Sequence, residues 1–79
     1  MAKSVQSTTA PHWDDLKTVL VLERHRTLAD AGAALGLNYT TVARRIARIE
    51  GVLGEVLFEK LADGYRATET GQMVAQYAG

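Results

Sequence analysis

The chain has 79 residues and nine basic against nine acidic side chains, so its net charge exerts no global pull on a polyanion. Its 47% hydrophobic content is that of a folded domain, not a disordered one. The absence of cysteine excludes disulfide staples, thiolate zinc sites and cysteine nucleophiles together.

Residues 1–11 are small and polar and end in Pro11, which predicts a flexible tail without the apolar middle section of a signal peptide. No apolar run approaches the roughly 20 residues of a membrane span. A soluble, cytoplasmic protein is expected. From Trp13 the pattern changes: Trp13, Leu16, Val19 and Leu20 recur at helical spacing, with Leu22 close by. Asp14 and Asp15 at the start and Arg24 and His25 at the end suit the dipole of a first helix over about 13–25. Trp13 is expected in the core or as a lid on it. Thr27 is a candidate N-cap for a short second helix with Leu28, Ala31 and Leu35 on its buried stripe. Ala31, Gly32, Ala33 and Ala34 lack bulk and let another helix come close, and Gly36 ends the segment.

Asn38 then caps a third helix over about 39–53, whose apolar positions Val42, Ile46, Ile49 and Leu53 are spaced as one face. Gly54 stops it, and Gly51 inside it costs about 1 kcal/mol relative to alanine. After Gly54 the period changes. Val56, Leu57 and Phe58 predict a short strand, with Phe58 in the core, Ala62-Asp63-Gly64 a turn, and Tyr65, Arg66 and Ala67 a return strand. Thr68 is a candidate cap for a fourth helix carrying Met73, Val74 and Tyr77. The fold class is mainly α with a small β-hairpin.

One stretch interrupts the overall charge balance. From residue 31 to residue 49 there is no acid, and Arg44, Arg45 and Arg48 lie inside that window. Two short helices joined by Gly36-Leu37-Asn38 make a helix-turn-helix candidate, in which the second helix enters the major groove and offers its first residues to base edges. With Val42, Ile46 and Ile49 turned inward, the opposite face holds Tyr39, Thr40, Thr41, Arg44, Arg45 and Arg48. Hydroxyls can meet phosphates or bases, and arginine can grip guanine or clamp a phosphate with two hydrogen bonds. The unpaired N–H groups at the helix start add partial positive charge there. Asp14, Asp15, Glu55 and Glu69 are expected to lie elsewhere, with Asp14 and Asp15 compensating the helix dipole. An isolated arginine-bearing face is commonly only a solvated one; the short preceding helix, the glycine turn and the asparagine cap favour DNA. Tyr39 reads either as a surface tyrosine or as a phosphate or base contact. Arg24 and Arg26 either reach the DNA backbone or form a plain solvated turn.

Two ordered segments, LADAGAALGLNYTTVARRIARIE from Leu28 and LFEKLADGYRATETG from Leu57, resemble the N-terminal DNA-binding domain of LysR-type transcriptional regulators. The resemblance covers about residues 13–79. It implies a winged helix-turn-helix over 12–67, with the hairpin as wing. Residues 68–79 would begin a long linker helix through which the family forms homodimers or higher homo-oligomers. It also implies a larger effector-binding domain beyond that helix, so a small-molecule effector would act only through a part absent from this chain. The family's DNA contacts carry over to Asn38, Tyr39, Thr40, Thr41, Ala43 and Arg44. The family often has glutamine and proline where Tyr39 and Thr40 stand, serine at Ala43, and arginine where Asp63 occupies the wing tip. An aspartate there repels phosphate, which makes Lys60 and Arg66 the better wing candidates. The alternative is a winged-helix protein-interaction module that no longer binds DNA. His12 and His25 are far apart in the chain, and no metal site, cofactor or enzymatic nucleophile–base pair is expected.

Overall fold

Six elements follow one another in the computed structural model, which describes residues 13–78. The expected tail over 1–11, His12 and Gly79 lie outside the described residues. Helix α1 spans Trp13–His25 and α2 spans Leu28–Leu35. Helix α3 spans Tyr39–Leu53, strands β1 and β2 span Phe58–Leu61 and Gly64–Ala67, and α4 spans Glu69–Ala78.

Local chemistry sets most of these boundaries. The Thr27 side chain accepts from Asp30 N at the start of α2. Gly36 closes that helix at φ 71° and returns its N–H to Ala33 O, while Leu37 N donates to Gly32 O at 2.8 Å. Glycine takes this left-handed conformation without the Cβ penalty of other residues. Asn38 Oδ1 accepts from Thr40 N at 3.0 Å and opens α3; Gly54, at φ 70°, ends it. Thr68 Oγ1 accepts from Gly71 N and donates to Val56 O, so one hydroxyl both caps α4 and ties it to the loop before β1. The strands pair antiparallel, Phe58 opposite Ala67 and Lys60 opposite Tyr65.

The core gathers Val19 and Leu22 from α1, Ala31 from α2, and Val42, Ile46 and Ile49 from α3, closed by Leu57, Phe58, Ala67 and Ala75. Leu57 immediately precedes β1 rather than lying in it: the strand begins at Phe58, and Val56 is exposed. Phe58 is buried, as its place ahead of the turn suggested.

Two helices are rotated from the faces that their large apolar residues suggested. Trp13 is 61% exposed, and the buried line of α1 is Asp15, Thr18, Val19 and Leu22. In α4 the buried residues are Gly71, Ala75 and Ala78, whereas Met73 is exposed and Tyr77 is 85% exposed. The reason is proximity. Helix α4 packs against α1, and a side chain at Gly71 would run into the Leu57 carbonyl oxygen, so only small residues fit that face. Leu53, at the end of α3, is likewise exposed.

Candidate nucleic-acid interface

Helix α3 buries Val42, Ile46 and Ile49 and turns its other side outward. Along that side Tyr39 is 57% exposed, Thr40 and Arg44 are exposed, and Thr41, Ala43 and Arg45 are half-buried. Asn38 is exposed but occupied: its Oδ1 accepts from Thr40 N and also from the Thr40 hydroxyl at 2.9 Å. This holds the first turn of α3 in one geometry: Thr40 N is capped by the Asn38 side chain, and Thr41 N and Val42 N both donate to Asn38 O. The helix start carries the partial positive charge of the dipole. No acidic residue lies in that first turn.

Arg48 is engaged differently from Arg44 and Arg45. Its Nη2 donates to Asp15 Oδ1 at 2.8 Å and its Nε to Asp15 Oδ2 at 3.1 Å, a two-pronged ion pair between α3 and α1. Asp15 is 1% exposed. Asp15 therefore does not lie away from the arginine face as expected, nor does it serve only the dipole of α1; it sits beneath α3 and anchors one of its arginines. The hydrogen bonds that Asp15 accepts, and then its charge, hold the Arg48 guanidinium above its ordinary pKa. The pattern signal for Asp15 was available, since it falls three and four residues before Thr18 and Val19 on the buried line. Its partner, 33 residues away, had no such signal.

Glu50, the first acid after the acid-free window, also has a structural use: its Oε2 accepts from Leu57 N at 2.9 Å and fixes the approach to β1.

On the wing, strand alternation places Phe58, Lys60, Tyr65 and Ala67 on one face and Glu59 and Arg66 on the other. Lys60 and Arg66 are both exposed but are not brought onto one face. Arg66 Nη2 pairs with Glu59 Oε1 across the strands at 2.9 Å, with both side chains more than half exposed. Such a pair contributes little to stability and is screened by salt. Asp63 is exposed in the turn between the strands.

A short helix, a glycine turn, an asparagine-capped second helix and a two-stranded wing define a winged helix-turn-helix domain. Comparison with known proteins agrees. The family model described as "Bacterial regulatory helix-turn-helix protein, lysR family" matches residues 13–72, and the chain belongs to that family. It is 43% identical over 58 residues to the Mau operon transcriptional activator of Paracoccus denitrificans, a match covering 73% of this chain and 20% of that protein. Among solved structures it resembles the full-length LysR-type regulator LysG of Corynebacterium glutamicum. There the TM-score is 0.80 at 26% identity, covering 87% of this chain and 24% of LysG. It also shares its fold with the CbnR DNA-binding domain in complex with DNA. That match has a TM-score of 0.80 at 24% identity, covering 85% of this chain and 77% of the other. The chain thus spans about a fifth of its curated relative and a quarter of full-length LysG. Among the described residues no helix is long and apolar enough to cross a membrane.

Proposed function

We propose that the chain is the DNA-binding domain of a cytoplasmic transcription regulator that binds double-stranded DNA sequence-specifically. Residues 12–67 form the binding unit and 68–79 the start of a linker helix. The amino-terminal half of α3 enters the major groove, with Asn38, Tyr39, Thr40, Thr41, Arg44 and Arg45 against bases and phosphates. Lys60 and Arg66 flank the groove from the wing. The observation that carries this reading is the outward face of α3: hydroxyls and guanidiniums next to a helix N-terminus, with no acid in the first turn. Arg48 is assigned to the clamp with Asp15 rather than to a DNA contact.

A homodimer is proposed through α4, where exposed Met73 and Tyr77 join Leu16, Leu53 and Val74 in an open apolar groove. Two recognition helices would then meet half-sites about one helical turn, or a multiple, apart. A small-molecule effector would act through a separate domain, and no enzymatic activity or cofactor is assigned to this one.

Selection of bound duplexes from a random pool identifies the site, and gel shifts on that site and on a scrambled one test the contacts. Arg44→Ala should weaken the selected site more than the scrambled one, by the roughly 1–3 kcal/mol of a direct base contact. Equal losses on both duplexes would refute that role. The exposed Asp63 and the neutral net charge favour the second reading, a protein-interaction module. No retardation of any duplex at micromolar protein and low salt would select it.

A further inference from the structure

The turn between α1 and α2 meets the wing through one residue in an unusual conformation. Arg26 has φ 75° and is the one non-glycine residue with positive φ among those described. Its own N–H finishes α1 by donating to Leu22 O at 2.8 Å. Its carbonyl oxygen accepts from Tyr65 N at 2.6 Å, and its side-chain Nε donates to Tyr65 O at 2.9 Å.

The arrangement follows from the hydrogen-bonding needs of an edge strand. Strand β2 has β1 on one side only, so on its other side the N–H and C=O of Tyr65 require partners. A neighbouring strand would supply both a carbonyl and an amide from its backbone. Arg26 supplies the carbonyl, but its amide is committed to the end of α1. The guanidinium Nε–H stands in for the missing backbone donor. Next to it, a Cβ on Gly64 would lie 2.5 Å from Arg26 O, so the wing turn and the α1–α2 turn fit only because residue 64 is glycine.

We infer that Arg26 is a positioning residue for the wing, acting as a one-residue third strand that sets how Lys60 and Arg66 are presented. It reaches DNA affinity through the wing and not through a contact of its own. The second half of this inference rests on the DNA-binding reading; the first does not.

Arg26→Gly isolates the side chain, because glycine adopts the same φ freely and keeps the carbonyl bond to Tyr65. Arg26→Asn, which also tolerates the left-handed region, serves as the second variant. In amide hydrogen exchange on the 79-residue chain, wing amides should exchange roughly three- to tenfold faster in both variants, the range set by loss of one hydrogen bond. Amides of α1 and α3 should hold their rates. Unchanged wing exchange overturns the anchoring role, and so does equal acceleration throughout the domain.

The second arm is a double-mutant cycle in duplex binding. Arg26→Gly should weaken binding by a similar roughly three- to tenfold factor in the natural chain and have little effect when Lys60→Ala and Arg66→Ala are already present. An equal loss in both backgrounds overturns the indirect role and makes Arg26 a DNA contact. If the natural chain binds no duplex, the DNA reading has failed, and the exchange experiment still decides the anchoring.

Discussion

Two glycines in helices make opposite predictions for the same substitution. Gly32 lies in α2, and an added Cβ would sit 2.6 Å from Leu37 O, a backbone atom of the turn into α3. That carbonyl has little freedom, because the amide of the same residue donates to Gly32 O at 2.8 Å. Restoring ordinary contact requires a shift of at least about 0.8 Å at the joint between the two helices, the kind of overpacking that costs about 1–3 kcal/mol. Against this, alanine is favoured over glycine in a helix by about 1 kcal/mol. The sum for Gly32→Ala is a net loss of up to about 2 kcal/mol. Gly51 lies in α3, is exposed, and has nothing within 4 Å of an added Cβ. There the propensity gain stands alone, and Gly51→Ala should stabilise by up to about 1 kcal/mol. For a domain of this size each kcal/mol moves Tm by roughly 4–8 °C, so the two melting curves, followed by circular dichroism, should separate by roughly 5–20 °C. Gly32→Ala should also weaken duplex binding measured well below its Tm, since the displaced turn delivers α3. If both variants shift Tm in the same direction, the close approach at Leu37 is not the deciding contact.

The Asp15–Arg48 clamp predicts an asymmetry. Arg48→Ala strands a buried carboxylate, whereas Asp15→Ala leaves an arginine that is already half in water, so thermal melts should show the larger fall for Arg48→Ala. Arg48→Ala should also leave the log–log salt slope of duplex binding unchanged, while loss of a phosphate contact lowers its magnitude by about 0.9; a fall of that size would reassign Arg48 to the DNA. Asn38→Ala removes an N-cap and should cost about 0.5–2 kcal/mol in urea denaturation, with Asn38→Asp close to neutral. Equal destabilisation by alanine and aspartate would show that the cap bond is not what Asn38 contributes.

The parts of the fold that were legible in the sequence are those set by neighbours in the chain. The bounds of α1, α2 and α3, the caps Thr27, Asn38 and Thr68, and the stops Gly36 and Gly54 depend on contacts no more than about one helical turn away, and each has a residue suited to it. The buried line of α3 was legible because branched aliphatics mark it without competition. In α1 and α4 the large apolar residues mislead, because the buried face is chosen by fit. Thr18 is buried with its hydroxyl satisfied by Asp14 O at 2.7 Å, and Ala75 and Ala78 are buried because the helices lie close. Trp13, Met73 and Tyr77 are left outside for the same reason. The two polar links that shape the candidate interface join residues 33 and 39 positions apart, Asp15 to Arg48 and Arg26 to Tyr65. Periodicity carries no information over such separations.

The first of those links, with the Glu50 bond to Leu57 N, also explains how a chain of zero net charge can present a face suited to a polyanion. Charge is sorted by position rather than by amount. Asp15 neutralises Arg48 in the third turn of α3, and Glu50, one turn from the end, is occupied by Leu57 N. The basic groups of α3 that remain without a carboxylate partner among the described residues are Arg44 and Arg45. These stand nearer the end that Asn38 caps, where the helix dipole is positive. Helix partial charge and side-chain charge therefore add at the amino-terminal half and cancel at the carboxyl-terminal half. A phosphate backbone meeting such a helix is drawn to its first two turns, the end that a major groove admits first. The clamp with Asp15 thus does two things at once: it holds α3 against α1, and it confines the positive potential to the part of α3 proposed to face the bases.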